Sequence, residues 1–439
     1  MLFRRIAVEA NEVMVGMYVA ALDRPWLETP FLFQGFEIED DDQRGQLAKY
    51  CDVVYVDLEQ SSLAESKIRA CAKRKSTPLT KTDRSAKRKL TPLRRVLLGF
   101  SKIDPTGIAS RVMSSTSRTN RNTVKFKQEQ PRAAKAHKMA MTQVSTILDK
   151  VESGEALDSE KLRQVVVPLV DSIERNEDSM AWLAYLRKYD EYTYSRALAT
   201  SVWAVILGRQ LGMDRSDLED LGLGGLLLDV GKSKMPNKIL KKAGRLRPEE
   251  FEIMKTHVHE SLQIARADSR VNQNVLNMIE FHHARFDGTG YPTDAAGQEI
   301  PLFGRIAALV DCYDAITTKR TYAPAMSPYD AIRELQDLAS EAFQEELVEQ
   351  FVHAIGMFPT GSVVELNNGA VGIVLEQNRV RRLRPKLLMV LDVKKRPLKK
   401  HKTIDLRKLP GDTKNPRAIW IERGHDPATF GINPNDYFL

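Results

Sequence analysis

The run His282-His283-Ala284-Arg285-Phe286-Asp287-Gly288-Thr289-Gly290-Tyr291-Pro292 sets two adjacent histidines at the end of a helical pattern, followed at once by a turn with two glycines and a proline. Few structural needs call for that combination. Val275, Ile279 and His282 fall at i, i+4 and i+7, and Leu276, Ile279 and His283 form an overlapping stripe, so both imidazoles are expected to face buried space. A buried imidazole needs a partner. Core histidines bonded to backbone carbonyls are the plain alternative. A vicinal pair closing a helix fits metal ligation better, because neutral imidazole is the commonest metal ligand. The glycines and Pro292, taken without the histidines, read as an ordinary tight turn.

A chain of 439 residues is too long for one compact core, so two or three domains are expected. No apolar run approaches the roughly 20 residues of a membrane span, and Arg4 and Arg5 precede only a brief apolar stretch before Glu9 and Glu12, so the cytoplasm is the expected location. Cys51, Cys71 and Cys312 are too few and too scattered for a disulfide framework or a cysteine zinc site. The net charge of +8 is local: Ala72 to Val96 holds ten Lys or Arg against the single acid Asp83, and the rest of the chain is close to neutral. Nucleic acid is therefore not the expected partner of the folded surface. The same segment carries a repeat, Ala72-Lys73-Arg74-Lys75 with Thr77-Pro78-Leu79 against Ala86-Lys87-Arg88-Lys89 with Thr91-Pro92-Leu93, and its composition favours a solvated linker.

Periodicity divides the remainder. Residues 1–70 alternate apolar and polar around Ile6 to Val8 and Met17 to Leu22 and reach a buried-strand pattern at Val53 to Val56, which predicts a small α/β domain. After a basic linker over 71–135, residues 136–357 keep a helical period, with breaks at Gly154, Gly212, Gly231 to Pro236, Gly244 and the Gly288 to Pro292 turn, and predict a helical bundle. Residues 358–406 read as a short β-meander with a turn at Asn367-Asn368-Gly369, and 407–439 as a loose tail. The fold class is thus mainly α, with small sheets at either end.

The histidine run resembles the HHExxDGxGYP signature of the HD-GYP family, metal-dependent phosphohydrolases that cleave cyclic di-GMP. Upstream, Leu226-Leu227-Leu228-Asp229-Val230-Gly231-Lys232 is similar to the family's LLHDIGK, and Ala307-Ala308-Leu309-Val310-Asp311 to its AxxAD helix, followed by Arg320 and Tyr322 in place of an RPY element. Gly16-Met17-Tyr18-Val19 with Leu22-Asp23-Arg24-Pro25-Trp26 resembles the small domain that often precedes HD-GYP domains. The resemblance implies an HD-type bundle, with Asp229, His257, His282, His283 and Asp311 as metal ligands and Lys232 beside Asp229 at the catalytic centre. Periodicity does not choose between His257 and His259, or between Asp311 and Asp314; the family pattern favours the first of each pair. Arg196, Arg285, Gly288, Gly290, Tyr291 and Arg320 are the positions implied for the ligand.

The chain departs from that pattern at four places. Leu228 stands for the histidine of the His-Asp pair, Arg196 for an upstream histidine ligand, Tyr192 for a further acidic ligand, and Ala284 for the Glu of HHE. Neither Leu nor Arg ligates a metal at neutral pH. The losses remove the ligands private to one metal position and spare the other. One divalent ion of iron, manganese or zinc is expected in place of two. Three readings follow: a receptor that binds cyclic di-GMP with weak or no hydrolysis, an active phosphodiesterase on a reduced metal site, or an interaction module docking onto diguanylate cyclases or other signalling proteins. The sequence leaves the oligomeric state open.

Overall fold

The computed structural model describes residues 5–22, 36–58, 61–72, 122–186, 193–242, 244–292, 295–318, 325–339, 341–378, 381–410, 415, 417–432 and 437. The repeat from Lys73 to Leu93, and Tyr192, Arg320 and Tyr322, lie outside these residues.

At the N-terminus, β1 (Arg5–Glu9), β2 (Tyr18–Leu22), β3 (Phe36–Glu37) and β4 (Val53–Asp57) form an antiparallel sheet in the order β1-β4-β2-β3. Its alternation is the one expected of a half-buried strand: Val54 and Val56 are buried while Tyr55 is exposed. The helices α1 (Asp41–Tyr50) and α2 (Glu65–Ala72) complete the layer. The acidic stretch before Val53 starts α1, where Asp40 accepts a hydrogen bond from Gln43 N–H and Asp41 and Asp42 favour the positive end of the helix.

The bundle comprises α3 (Phe126–Glu152), α4 (Ser159–Leu186), α5 (Thr193–Leu211), α6 (Arg215–Leu227), α7 (Asn237–Leu240), α8 (Pro248–Lys255), α9 (His257–Arg266), α10 (Gln273–Phe281), α11 (Leu302–Thr317), α12 (Pro328–Asp337) and α13 (Glu345–Ile355). Helix α3 begins ten residues earlier than its periodicity suggested. The reason is a polar anchor that no hydrophobic pattern reveals: buried Glu129 receives hydrogen bonds from Ser172 (2.9 Å) and from Arg175 (2.8 and 2.7 Å) on α4. Helix α5 lies at the centre, with Trp203 fully buried against Tyr313 of α11. Helix α6 approaches it closely because residue 225 is glycine; a Cβ there would stand 2.5 Å from Ser201 Cα.

Five antiparallel strands follow, β5 (Val363–Leu366), β6 (Val371–Glu376), β7 (Lys386–Leu391), β8 (Pro397–Asp405) and β9 (Ile421–His425), in the order β8-β7-β6-β5-β9. Val363, Ile373, Leu387 and Val390 share one apolar core with the helices, so the sheet belongs to the bundle and is not a separate appendage. The segment beyond Leu406, expected to be loose, corrects that expectation: β9 pairs with β5, and Gly424 lies so close under Tyr329 of α12 that a Cβ would come within 2.8 Å of it. Arg384 fixes the way back by donating to the carbonyls of Leu406 (2.9 and 2.7 Å) and Leu409 (2.7 Å). The N-terminal domain keeps its own core and touches this sheet through charge, with Arg381 3.1 Å from Glu37 and Arg384 3.8 Å from Glu39. No helix among the described residues is long and apolar enough to cross a membrane.

Candidate metal centre

Three short elements bring the polar residues together. Helix α6 ends at Leu227, and a 3-10 turn over Val230–Lys234 starts from Asp229. Gly231 makes this turn possible against α9, since a Cβ on it would lie 2.3 Å from the carbonyl oxygen of His257 and 2.4 Å from the nitrogen of Ser261. Ser261 ties the seam, accepting from Gly231 N–H (2.8 Å) and donating to the Leu228 carbonyl (3.0 Å). That contact places Asp229 beside His257, the first residue of α9. Helix α10, whose Asn272 caps it by accepting from Val275 N–H, buries Val275, Met278 and Ile279 and delivers His282 at its C-terminus, with His283 next.

Asp229, His257, His282 and His283 each offer one ligand atom, and these four atoms lie within 4.8 Å of one another. Both fully buried imidazoles are oriented by the backbone just before them: His257 Nδ1 is 2.7 Å from the carbonyl of Met254 in α8, and His282 Nδ1 is 2.8 Å from that of Ile279 in α10. Those carbonyls can only accept, so each Nδ1 donates and each Nε2 keeps its lone pair. The two Nε2 atoms nevertheless stand 3.3 Å apart, and they lie 3.3 and 3.7 Å from Asp229 Oδ1. That oxygen is buried and accepts no hydrogen bond among the described residues. Three acceptors converging on one point repel each other unless a cation lies between them, and three nitrogens with one carboxylate oxygen suit zinc, iron or manganese. The donor set therefore fits a metal, and the imidazole-to-carbonyl bonds are the kind that fix the tautomer of a metal-ligating histidine.

Electrostatics point the same way. Burial works against the charge on Asp229, but the Lys232 ammonium, with Arg196 behind it, holds the carboxyl well below its ordinary range. Burial, assisted by His282, pushes the His283 pKa far down, so its imidazole is neutral and able to donate a lone pair. The ring of His283 stacks on Tyr291, centroids 4.7 Å apart, and Tyr291 N–H bonds to the His283 carbonyl at 3.2 Å. The turn of the signature is thus folded onto a ligand. Gly290 is required there by packing, as a Cβ would stand 2.4 Å from Arg285 N and 2.5 Å from the His283 carbonyl oxygen; Gly288 adopts φ +83°.

Other expected residues lie elsewhere. Asp311, named as a metal ligand, is not among the four converging donors, because Arg196 Nη2 holds its Oδ1 at 2.6 Å. Arg196, expected at the ligand, faces acids instead: besides Asp311 its Nε is 3.3 Å from Asp314 Oδ2 and its Nη1 4.0 Å from Asp229 Oδ2. Lys232 Nζ sits 2.6 Å from that same Oδ2. Arg285 lies over the Phe343 ring, 5.2 Å from its centroid. Leu228 is buried in the apolar core, and Ala284 lines a small cavity with Arg305 and Gln344. Sequence reasoning named Gly231 in its motif without the role that it shares with Ser261 in setting the Asp229 turn, and it missed Phe251 and Lys255, which lie against Tyr291. Only Gly231 had a visible signal, its place directly after the Asp229-Val230 step.

A model of the HD domain covers residues 181–347, which include the four converging residues. A domain of unknown function (DUF3391) covers 5–162, and a KOW domain associated with HD domain covers 363–411. The protein named cyclic di-GMP phosphodiesterase PA4108 of Pseudomonas aeruginosa is 30% identical over 314 residues, 70% of this chain and 75% of that protein. The chain belongs to the HD-GYP family. Within it, a protein of Thermotoga maritima named cyclic di-GMP phosphodiesterase is 35% identical over 147 residues, 33% of this chain and 40% of the relative. The Vibrio cholerae protein named 3'3'-cGAMP-specific phosphodiesterase 2 is 34% identical over 144 residues, 33% of this chain and 28% of the relative.

Proposed function

We propose that this HD-GYP chain binds cyclic di-GMP at a one-metal centre of Asp229, His257, His282 and His283, and hydrolyses it weakly or not at all. The observation that carries the reading is the division of Asp229: its Oδ1 faces the imidazoles, while its Oδ2 is held by Lys232 at 2.6 Å and faces Arg196 at 4.0 Å. Asp311, the acid that would serve a second ion, is engaged by Arg196. The names of the relatives supply the ligand class.

An iron, manganese or zinc ion among the four donors would supply positive charge to a phosphate oxygen and acidify a water. The chain's own residues prepare for this. His257 and His282 are locked by carbonyl bonds, Lys232 orients Asp229, and the stacked Tyr291 shields one face of His283. Absence of a second ion removes several kcal/mol of transition-state stabilisation. Since about 1.4 kcal/mol is tenfold in rate, turnover falls by orders of magnitude while binding survives better.

The test is calorimetric binding of cyclic di-GMP and of 3'3'-cGAMP, with metal content and turnover measured on the same preparation. Binding of cyclic di-GMP with turnover near background is the expected outcome. Rapid hydrolysis by a preparation holding two ions per chain would return it to the active phosphodiesterases, and binding of neither dinucleotide would remove the receptor reading.

A further inference from the structure

We infer that Arg196 is a resident second cation: its guanidinium neutralises Asp311, Asp314 and the outer oxygen of Asp229, keeps a second metal ion out, and lets the centre remain folded when no metal is bound. The inference rests on the one-metal reading above and goes beyond it by assigning what fills the neighbouring position and what that does to the chain without metal.

Three carboxylates from two elements meet around Arg196. Asp311 and Asp314 lie one turn apart on α11, and Asp229 comes from the turn after α6. Asp314 is fully buried and Asp311 nearly so, which is costly for charges without a counter-ion. Helix α5 points Arg196 into this group, with distances of 2.6 Å to Asp311, 3.3 Å to Asp314 and 4.0 Å to Asp229. A guanidinium does not lose its proton in a protein, so its charge is permanent where a metal's presence would depend on supply. Burial disfavours that charge, yet the three acids more than offset it and push the Arg196 pKa upward.

The planar fork matters as much as the charge. Three edges of the guanidinium are turned to three acids, which leaves Arg196 poorly disposed to grip a phosphate as well, and it would act on a bound metal only through Asp229. It is therefore a positioning residue. Lys232 holds the same oxygen of Asp229 from another side at 2.6 Å, so two fixed cations keep Oδ2 occupied and leave Oδ1 for the imidazoles. An ordinary buried salt bridge would be satisfied by one acid. Here one cation serves three.

The decisive experiment compares full-length wild type, Arg196→Ala and Arg196→Lys, each stripped of metal, in thermal melts and in titration with manganese followed by metal analysis. Wild type and R196K should saturate at about one ion per chain and R196A at about two, the second held more weakly. Metal-free R196A should melt several degrees below metal-free wild type and recover when manganese is added. Should R196A not fold, Arg196→Ala with Asp314→Asn removes one buried acid along with the guanidinium and carries the same comparison. Equal stoichiometry and equal metal-free melting of wild type and R196A would overturn the inference, as would a wild type that holds two ions. If no variant binds manganese, the one-metal reading fails by itself. The metal-free melts then still decide the role of Arg196: a deficit in R196A upholds it as the acids' counter-cation, and equal melting refutes it.

Discussion

Each fully buried histidine of the centre spends one nitrogen on a backbone carbonyl three residues before it and keeps the other for the shared point. His282 Nδ1 bonds to Ile279, His257 Nδ1 to Met254, and the remaining Nε2 atoms meet at 3.3 Å. Core histidines bonded to carbonyls and metal ligands were alternatives in the sequence; in the fold the carbonyl bond leaves the same residue able to serve as a ligand, because an imidazole has two nitrogens on opposite edges. Removing an outer partner of a metal ligand commonly weakens affinity 10–100-fold, so His282→Ala, which removes the ligand itself, should weaken manganese or zinc binding by at least about tenfold. Titration of stripped protein measures this, and unchanged affinity would exclude His282 from the centre. A second substitution tests the lost position. Leu228→His together with Arg196→His should raise metal occupancy and turnover more than the sum of the single changes, since both imidazoles would serve one ion. Leu228 is buried among apolar side chains, so L228H alone should lower the melting temperature, because a polar ring enters that core without a partner.

The glycines show how far an element can be read before it is folded. Gly290 stood among the positions implied for the ligand, yet its missing Cβ is needed by the chain's own turn, 2.5 Å from the His283 carbonyl, and Gly231 is needed just as strictly by α9. A sequence motif shows that a side chain is forbidden without showing what forbids it, because the obstacle belongs to another element. Gly231→Ala should therefore lose metal affinity as well as stability, by pushing the Asp229 turn off α9. Loss of stability alone, with metal affinity intact, would separate the turn from the centre. A charge at the mouth of α4 gives a pH test. Asp268, between α9 and α10, accepts from Ser159 N–H (3.0 Å) and Oγ (2.6 Å) and from Arg270 (2.7 Å), and the Arg270 bonds chiefly, against burial and with help from Ser159, hold its carboxyl well below the usual range. A depressed carboxyl stabilises the fold fully above its unfolded value of about 3.9 and progressively less as pH falls below it. Asp268→Asn should thus cost about 1–2 kcal/mol at neutral pH, discounted for the exposed Arg270, and the gap to wild type should begin to narrow below about pH 4 in denaturant titrations. A gap that is constant down to pH 3 would show that the charge is not what Asp268 contributes.

At the scale of the whole molecule, the sequence revealed the bundle and the centre because their signals are local: a helical period, a histidine pair, an Asp followed by glycine and lysine. It concealed the end of the chain because a strand at a sheet edge is defined by its partner. Ile421-Glu-Arg-Gly-His425 has one large apolar residue and no alternation to speak of, yet it completes the sheet against β5 and meets α12 through Gly424. Ala418 and Ile432 on either side of β9 are buried. Without β9, β5 would become an unpaired edge next to the apolar core it shares with α12 and α13, the situation in which one molecule pairs with another. Burying a side chain such as Ile432 stabilises by about 1.5–3 kcal/mol, and the strand pairing adds to that. A chain ending after Pro410 should therefore melt several degrees lower and self-associate on sedimentation, with metal content per folded chain unchanged, because none of the four ligands lies on the sheet. Melting and sedimentation identical to the full chain would mean that β9 is dispensable. Loss of metal in the fraction that stays folded would mean that the sheet supports α11 and α13 strongly enough to shape the centre from behind.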